Sequence, residues 1–518
     1  MDKTDRLRDY GLAFLLYEQS LGICGYELIR ELFIFIKLIL NSYLKISSLL
    51  FVMVAMMLSA CDDYLDDVPK GQKIPKTWED YNAFIRNNFS YHFLDPDQLA
   101  VLAGDIFKLP SAVTSPSLTR ANYYADESVN RIDLMTGNDK NPYFNAYEGL
   151  FAWNLIVEDV PDATECTEVQ RRQLIAQGRV LRAMHYFYLA NFYADQYDEA
   201  TKDKLSVPLI TSASVEAPSP QVTLQTMYEF MLDDLNKAVE DLPVHSESIL
   251  HPNRALGYGM LARVYLSMGD YDNALKNASL ALEQNDQLFN WIDLYEADKE
   301  RYDDPKNYTS GVAGNPETDN VENYIYCYGS STSGWTGLNN TSYAISPERA
   351  ARFEKGDTRL LTHWKSRVSS SGIPYYAGIY ALEMNKGGMR SPEMYYIKAE
   401  CLARKGGEAN IREAMELVNK VRKTRILLEF YQDWTAATTK EAVEKIIRDK
   451  ESEYIQTQVI YCDYRRLNKD PEYARTFPRT IEGKEYILKS DSHLWIMPFP
   501  REAVSNPGNG TITQNVEK

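Results

Sequence analysis

A basic excess, paired cysteines and the short motifs of catalysis are all missing from this sequence. Its 518 residues carry a formal net charge of −17. So acidic a balance argues against phosphate-backbone binding, because nucleic-acid binders need a basic face. The six cysteines (24, 61, 166, 327, 401 and 462) contain no CxxC and no other close pair, so neither a zinc site nor a disulfide framework is indicated. Cys166, Cys401 and Cys462 read as small buried apolar residues. No HExxH, GxSxG, GxxxxGK or GxGxxG occurs, and the six histidines stand apart in the sequence. No catalytic residue, metal ligand or cofactor is therefore assigned. Carboxylates are plentiful, so a glycosidase pair assembled by folding stays open from spacing alone.

What is abundant is tyrosine, 37 residues against 18 phenylalanines and 7 tryptophans. Such rings fill helix seams with their hydroxyls at the rim, or they line a site for sugars, whose C–H faces stack on aromatic faces.

Residues 44–61 run Leu-Lys-Ile-Ser-Ser-Leu-Leu-Phe-Val-Met-Val-Ala-Met-Met-Leu-Ser-Ala-Cys. One cation, an apolar run from Leu49 to Leu58 and then small residues are the layout of a secretory signal. The end, Leu58-Ser59-Ala60-Cys61, resembles a bacterial lipobox, in which the chain is cut before the cysteine and the cysteine is acylated. Each buried CH2 adds roughly 0.8 kcal/mol, so several acyl chains anchor a protein without a membrane helix. The acidic, turn-rich stretch 61–76 is the expected tether, with Asp62-Asp63 directly behind the anchor. Residues 1–43, with Glu18, Glu27, Arg30 and Glu31, fit no such signal and are expected to be an upstream extension from a mis-assigned start, with 44–60 the signal peptide.

From 77 onward a single mainly α-helical domain is expected. A helix over 77–94 begins with Thr77 as N-cap and places Trp78, Tyr81, Phe84 and Ile85 on one face. The stretch 95–142, rich in Pro, Gly, Ser and Asn, reads as irregular, and helices follow at 144–160, 167–194 and 223–242. Between Ala255 and Glu283, Tyr258, Leu261, Ala262, Tyr265, Gly269, Tyr271, Ala274, Ala278 and Ala281 match tetratricopeptide spacing. A looser copy starts at Tyr396, Ala399, Glu400 and Leu402, turns at Gly406-Gly407 through a turn about three residues longer, and continues at Ala414, Leu417 and Val421. The segment 284–388 has little periodicity and is too long for a simple connection, so it is the expected ligand side. A last helix is expected from Thr439 to about Leu467.

Further landmarks are Arg182-Ala183-Met184-His185-Tyr186-Phe187 with Tyr193, Ala344 to Arg359 with its Asp357-Thr358-Arg359, Arg390 with Glu393, Ala399-Glu400 and Asn419-Lys420-Val421-Arg422. The tail adds Leu494-Trp495-Ile496-Met497-Pro498, Glu502, Asn506-Pro507 and Gln514-Asn515. In this order, behind a lipobox and an acidic tether, they resemble the SusD/RagB family of nutrient-binding outer-membrane lipoproteins of Bacteroidetes, from Cys61 to the end. Where the family often has Glu-Gly and then Arg, this chain has Thr457-Gln458 and Ile460, keeping Asp463, Arg465 and Arg466, which bears on local packing. The resemblance implies a tetratricopeptide-like scaffold (repeats about 144–283 and 390–467) with irregular ligand-side segments (about 95–142 and 284–388). It implies a surface-exposed outer-membrane lipoprotein that captures an oligosaccharide for a SusC-like TonB-dependent transporter, without catalysis or cofactor. The alternatives are a peptide-binding or structural lid of such a transporter, and a surface glycoside hydrolase. Within 324–343, Trp335 is the leading ligand residue, with Tyr326, Tyr328 and Tyr343 in support. Trp335 lies in Ser333-Gly334-Trp335-Thr336-Gly337, where an indole has no periodic core partner; it either stacks on ligand or closes its own loop core.

Overall fold

The computed structural model describes residues 30–39, 75–88, 97–214, 216–304, 320–327, 343–378, 385–505 and 510–517. The chain divides into two units, Met1–Pro75 and Lys76–Lys518. In the first, the described residues include a short helix at 30–39 with Leu32, Phe33, Phe35 and Leu38 exposed. No helix among the described residues is long and apolar enough to cross a membrane. Cys61 lies outside the described residues.

In the second unit, α1 (Trp78–Asn88) starts behind Thr77, whose hydroxyl accepts from the Asp80 amide, and buries Tyr81 and Ile85. The expected irregular stretch 95–142 is partly helical, with α2 (Asp97–Ala103) and α3 (Leu118–Tyr123). Helix α4 (Gly137–Asp159) begins seven residues before the expected 144 and runs through Pro142. Proline is disfavoured beyond a first turn, but the Asp139 carboxylate accepts from the Thr136 amide at 2.8 Å and ties the helix start upstream of it. Helix α5 (Glu168–Tyr193) opens on a Thr167–Gln170 capping box and is buried at every position from Val180 to Tyr193. A helix buried all round is a core element. The ribbon β1 (Leu205–Pro208) and β2 (Gln221–Thr223) leads to α6 (Leu224–Ala238).

The repeat follows as α7 (Arg254–Met268) and α8 (Tyr271–Gln284). Gly269 takes φ +77° to end the first helix, and Asp270 caps the second by accepting from the Asn273 amide. Ala262, Ala274, Ala278 and Ala281 are completely buried, as small residues at a helix crossing must be. After α8 the chain leaves the stack through α9 (Trp291–Ala297), α10 (Lys299–Asp303), β3 (Asn323–Ile325), α11 (Pro347–Ala350), α12 (Thr358–His363), the hairpin β4–β5 (Trp364–Val368, Pro374–Gly378) and β6 (Met389–Arg390), which pairs with β3. It returns as α13 (Ser391–Lys405), packed on α8, and α14 (Glu408–Arg422). The long insertion thus rises between two helices that touch each other.

The second repeat departs from its sequence reading. Its turn, Gly406-Gly407, is two residues long like Gly269-Asp270, and not three residues longer. Counted from each turn glycine, the buried residues Ile411, Met415 and Val418 occupy the places of Ala274, Ala278 and Ala281. Taking Ala414 as the first small residue had made the turn look longer.

The last long helix is also two: α15 (Thr439–Glu453) and α16 (Gln458–Asn468), separated by a break with Gln456 at φ +61°. The break is held from outside the stack. Gln456 donates to the carbonyls of Asp105 (2.9 Å) and Tyr343 (3.1 Å), and the Gln458 amide donates to Lys386 O (3.0 Å). The hairpin β7–β8 (Phe477–Ile481, Lys484–Leu488) turns on Glu482-Gly483, both at positive φ, and α17 (Arg501–Ser505) precedes the tail. Cys401 and Cys462 are buried as expected, while Cys166 is only half-buried.

Candidate ligand-binding face

Beside the main helical core lies a second one, built from the elements outside the stack. Val101, Ile106, Tyr123, Ile345, Trp364 and Ile481 belong to it, from α2, α3, the 343–378 segment and β7. The break after α15 supports it, contributing Ile455 and the Gln456 hydrogen bonds. Arg479 of β7 stitches α2 and α3 to the hairpin by donating to Val101 O and Tyr123 O, each at 2.9 Å, and to Leu102 O. Burial pushes the Tyr123 phenol up to about 12 and the Arg479 guanidinium down to about 10.

The edge of this second core is aromatic and half-buried: Tyr124, Tyr376 and Tyr486 pack against it while keeping part of their surface in solvent. Tyr124 and Tyr486 meet edge to face, centroids 4.9 Å apart at 69°. Arg120 sits 4.7 Å from the Tyr124 ring and Lys484 5.1 Å from the Tyr486 ring. Apolar ring surface beside N–H and O–H donors is the chemistry that takes a ligand with C–H faces and hydroxyl edges.

Of the residues singled out from sequence, Trp335 and Tyr328 lie outside the described residues. Tyr326 and Tyr343 are buried, 3% and 4% exposed, and neither presents an open ring. Tyr326 donates its amide to Ile249 O at 2.8 Å. Tyr343 belongs to the second core, with the Lys386 ammonium 3.8 Å from its ring centroid and 3.1 Å from Asp97. The three half-buried tyrosines escaped the sequence reading. Tyr124 was one of a doublet in a stretch taken as loop, and nothing in the order of residues says which of Tyr123 and Tyr124 turns outward.

Carboxylates do come together in this fold, but with guanidiniums. Glu322, Asp357, Asp449 and Glu453 gather around Arg359, Arg390 and Arg425, all of them buried. Arg359 reaches Asp357 (2.7 Å), Asp449 (2.8 Å) and Glu453 (2.9 Å); Arg390 reaches Glu453 (2.7 Å) and Glu322 (3.0 Å); Arg425 reaches Glu322 (2.6 Å) and Glu453 (2.9 Å). The three guanidiniums hold Glu453 well below the usual carboxylate range against the cost of its burial. A glycosidase acid needs the opposite, a carboxyl kept protonated at neutral pH and facing a cleft. These charges tie the insertion (Glu322, Asp357, Arg359, Arg390) to the stack (Asp449, Glu453).

Comparison with known proteins follows this geometry. A SusD-like family model, described as starch-binding and associating with the outer membrane, matches residues 63–266. A SusD superfamily protein from Bacteroides thetaiotaomicron VPI-5482 is similar in fold, with a TM-score of 0.66 at 15% identity over 85% of this chain and 100% of that one. A protein described as a putative sugar binding protein from Bacteroides vulgatus ATCC 8482 has a TM-score of 0.61 at 16% identity, covering 86% and 99%. A SusD-like carbohydrate binding protein from the same strain has a TM-score of 0.55 at 15% identity, covering 80% and 89%. No protein among those with curated functions matches the chain.

Proposed function

We propose that the chain is a member of the SusD/RagB family, and that it captures an oligosaccharide on the outer surface of the outer membrane, held there by lipid on Cys61, and passes it to a SusC-like TonB-dependent transporter. The observation that carries the capture step is the half-exposed Tyr124–Tyr486 pair at the edge of the second core, flanked by Arg120 and Lys484. The described starch-binding character of the family and the sugar-binding descriptions of two relatives support the ligand class. Trp335 stays the leading loop residue for the same ligand.

The test is binding of maltoheptaose and a panel of other glycans by variants of the purified protein. Tyr124→Ala and Tyr486→Ala are each expected to weaken the bound glycan about tenfold, the equivalent of about 1.4 kcal/mol, in protein whose helical circular dichroism shows it still folded. Trp335→Ala is expected to behave alike. Unchanged affinity in all three variants would remove this face from the capture step. Anchoring is tested separately: Cys61→Ala should leave an unprocessed precursor by mass spectrometry, and a mature chain cut before residue 61 in that variant would refute the lipobox.

A further inference from the structure

Charge is distributed unusually along the aromatic edge. Elsewhere in the fold, buried guanidiniums carry a carboxylate: Arg131, Arg182, Arg263 and Arg349 each hold one at 2.6 to 2.8 Å. Around Tyr124 and Tyr486 that pairing lapses. Arg120 donates to Val113 O, Arg479 donates to Val101 O and Tyr123 O, and Lys484 stands over the Tyr486 ring. None of these three cations is in an ion pair among the described residues. On a chain of net charge −17 such a group is a local reversal of the average surface.

The local structure explains why carboxylates do not neutralise it. In the β7–β8 hairpin Arg479 lies opposite Tyr486, and Ile481 lies opposite Lys484. Cross-strand partners share a face, as do alternate residues of one strand, so Arg479, Lys484 and Tyr486 stand on one face and Glu485 on the other. Glu482 sits in the turn, beyond the paired positions. Arg120 precedes Tyr124 by one helical turn at the end of α3 and reaches its ring. Asp126, just beyond, accepts from the Ser128 amide at 3.0 Å and from its hydroxyl. The carboxylate whose charge reaches the Tyr123 phenol is Glu348 of α11.

Two half-open rings flanked by cations without counter-ions select for charge as well as for shape. We infer that the glycan held on this edge is acidic: sugar rings stack on Tyr124 and Tyr486 while a carboxylate or sulfate on them is met by Arg120 and Lys484. The guanidinium fork of Arg120, half-buried and fixed against its ring, matches the paired oxygens of such a group. Lys484 is exposed and adds a point charge that can follow the ligand. Arg479 contributes its field from beneath, among the carbonyls of α2 and α3. The inference rests on the capture reading and narrows its ligand class.

The experiment is calorimetric titration of the purified protein with maltoheptaose, an oligogalacturonate and a carrageenan oligosaccharide of similar length. The second supplies carboxylates and the third sulfates, so the two sources are told apart. In about 0.02 M salt one of the acidic glycans is expected to bind about tenfold tighter than maltoheptaose, and about 0.5 M salt should erase most of that margin. Lys484→Gln should narrow the margin and Lys484→Glu remove it. Affinity for maltoheptaose equal to or above that for both acidic glycans, with Tyr486→Ala weakening whichever binds, overturns the inference and keeps the capture reading. A margin that survives Lys484→Glu places the acidic group elsewhere and overturns it likewise. Binding of none of the three overturns both.

Discussion

Glu453 draws together two of the residues that stand out in the sequence. It accepts from Arg359, Arg390 and Arg425, of which the first two stood out in the sequence as Asp357-Thr358-Arg359 and as Arg390 with Glu393. Arg390 and Glu393 do not pair with each other in the way their spacing invites; Glu393 takes Arg263 of α7 instead, at 2.6 Å. The same holds for Glu400, buried between Arg404 (2.8 Å) and Arg466 (2.6 Å), whose guanidiniums pull its carboxyl from 4.5 to about 2. A carboxyl depressed by folding stabilises the fold above its unfolded pKa and loses that contribution as pH falls through the folded one. Stability is therefore expected to drop by roughly 3 kcal/mol through Glu400 between pH 4.5 and about 2. Chemical denaturation across that range checks it. In Glu400→Gln this part of the acid loss should vanish, and an identical pH profile would show that the pair contributes nothing. Such landmarks were visible as residues, but Arg466 lies 66 positions from Glu400 and Arg263 130 from Glu393, and no local pattern reports partners at that distance.

Among elements, the best-read piece is α7–α8. Its boundaries follow from local chemistry: Asn253 caps one helix, Gly269 ends it in the left-handed region and Asp270 starts the next. Ala262→Leu places three carbons into a crossing where the native side chain is fully buried, and overpacking there should cost about 1–3 kcal/mol. An unchanged melting temperature would mean that the crossing lies elsewhere. Elements were misjudged where a distant contact overrides the local signal. The composition of 95–142 reads as irregular up to a helix start at 144, yet Thr136 and Asp139 anchor α4 earlier. The residues from Tyr454 to Thr457 continue a helical pattern, yet Gln456 turns away to hold the carbonyls of Asp105 and Tyr343.

Across the whole molecule, the tail closes what the helices leave open. Glu517 enters a site on Arg131, whose side chain is 0% exposed, at 2.6 Å, and also accepts from the Arg131 amide at 2.9 Å. Arg131 in turn donates to Leu494 O (3.0 Å) and Ile496 O (2.7 Å), and Asn515 donates to Tyr193 O and Met497 O. The tail thereby joins the loop side, the 494–497 segment and the end of α5. Glu517→Ala leaves a buried guanidinium without its carboxylate, a change that typically costs about 3–5 kcal/mol. The expected readout is a lower denaturation midpoint with an unaltered slope; a midpoint equal to wild type would make the contact dispensable.

Local rules reached the N-caps, the left-handed turn glycine and the order of the helices, because each depends on residues within a few positions of one another. They singled out Tyr326 and Tyr343, whose rings the fold buries, and could not tell them from Tyr124 and Tyr486, whose rings it leaves half-open. Exposure of a given ring, the pairing of a given carboxylate and the break between α15 and α16 depend on chain segments brought together from 100 or more residues apart, such as Gln456 on Tyr343 and Glu322 on Arg425. One-dimensional spacing carries no record of such meetings, and packing alone settles them.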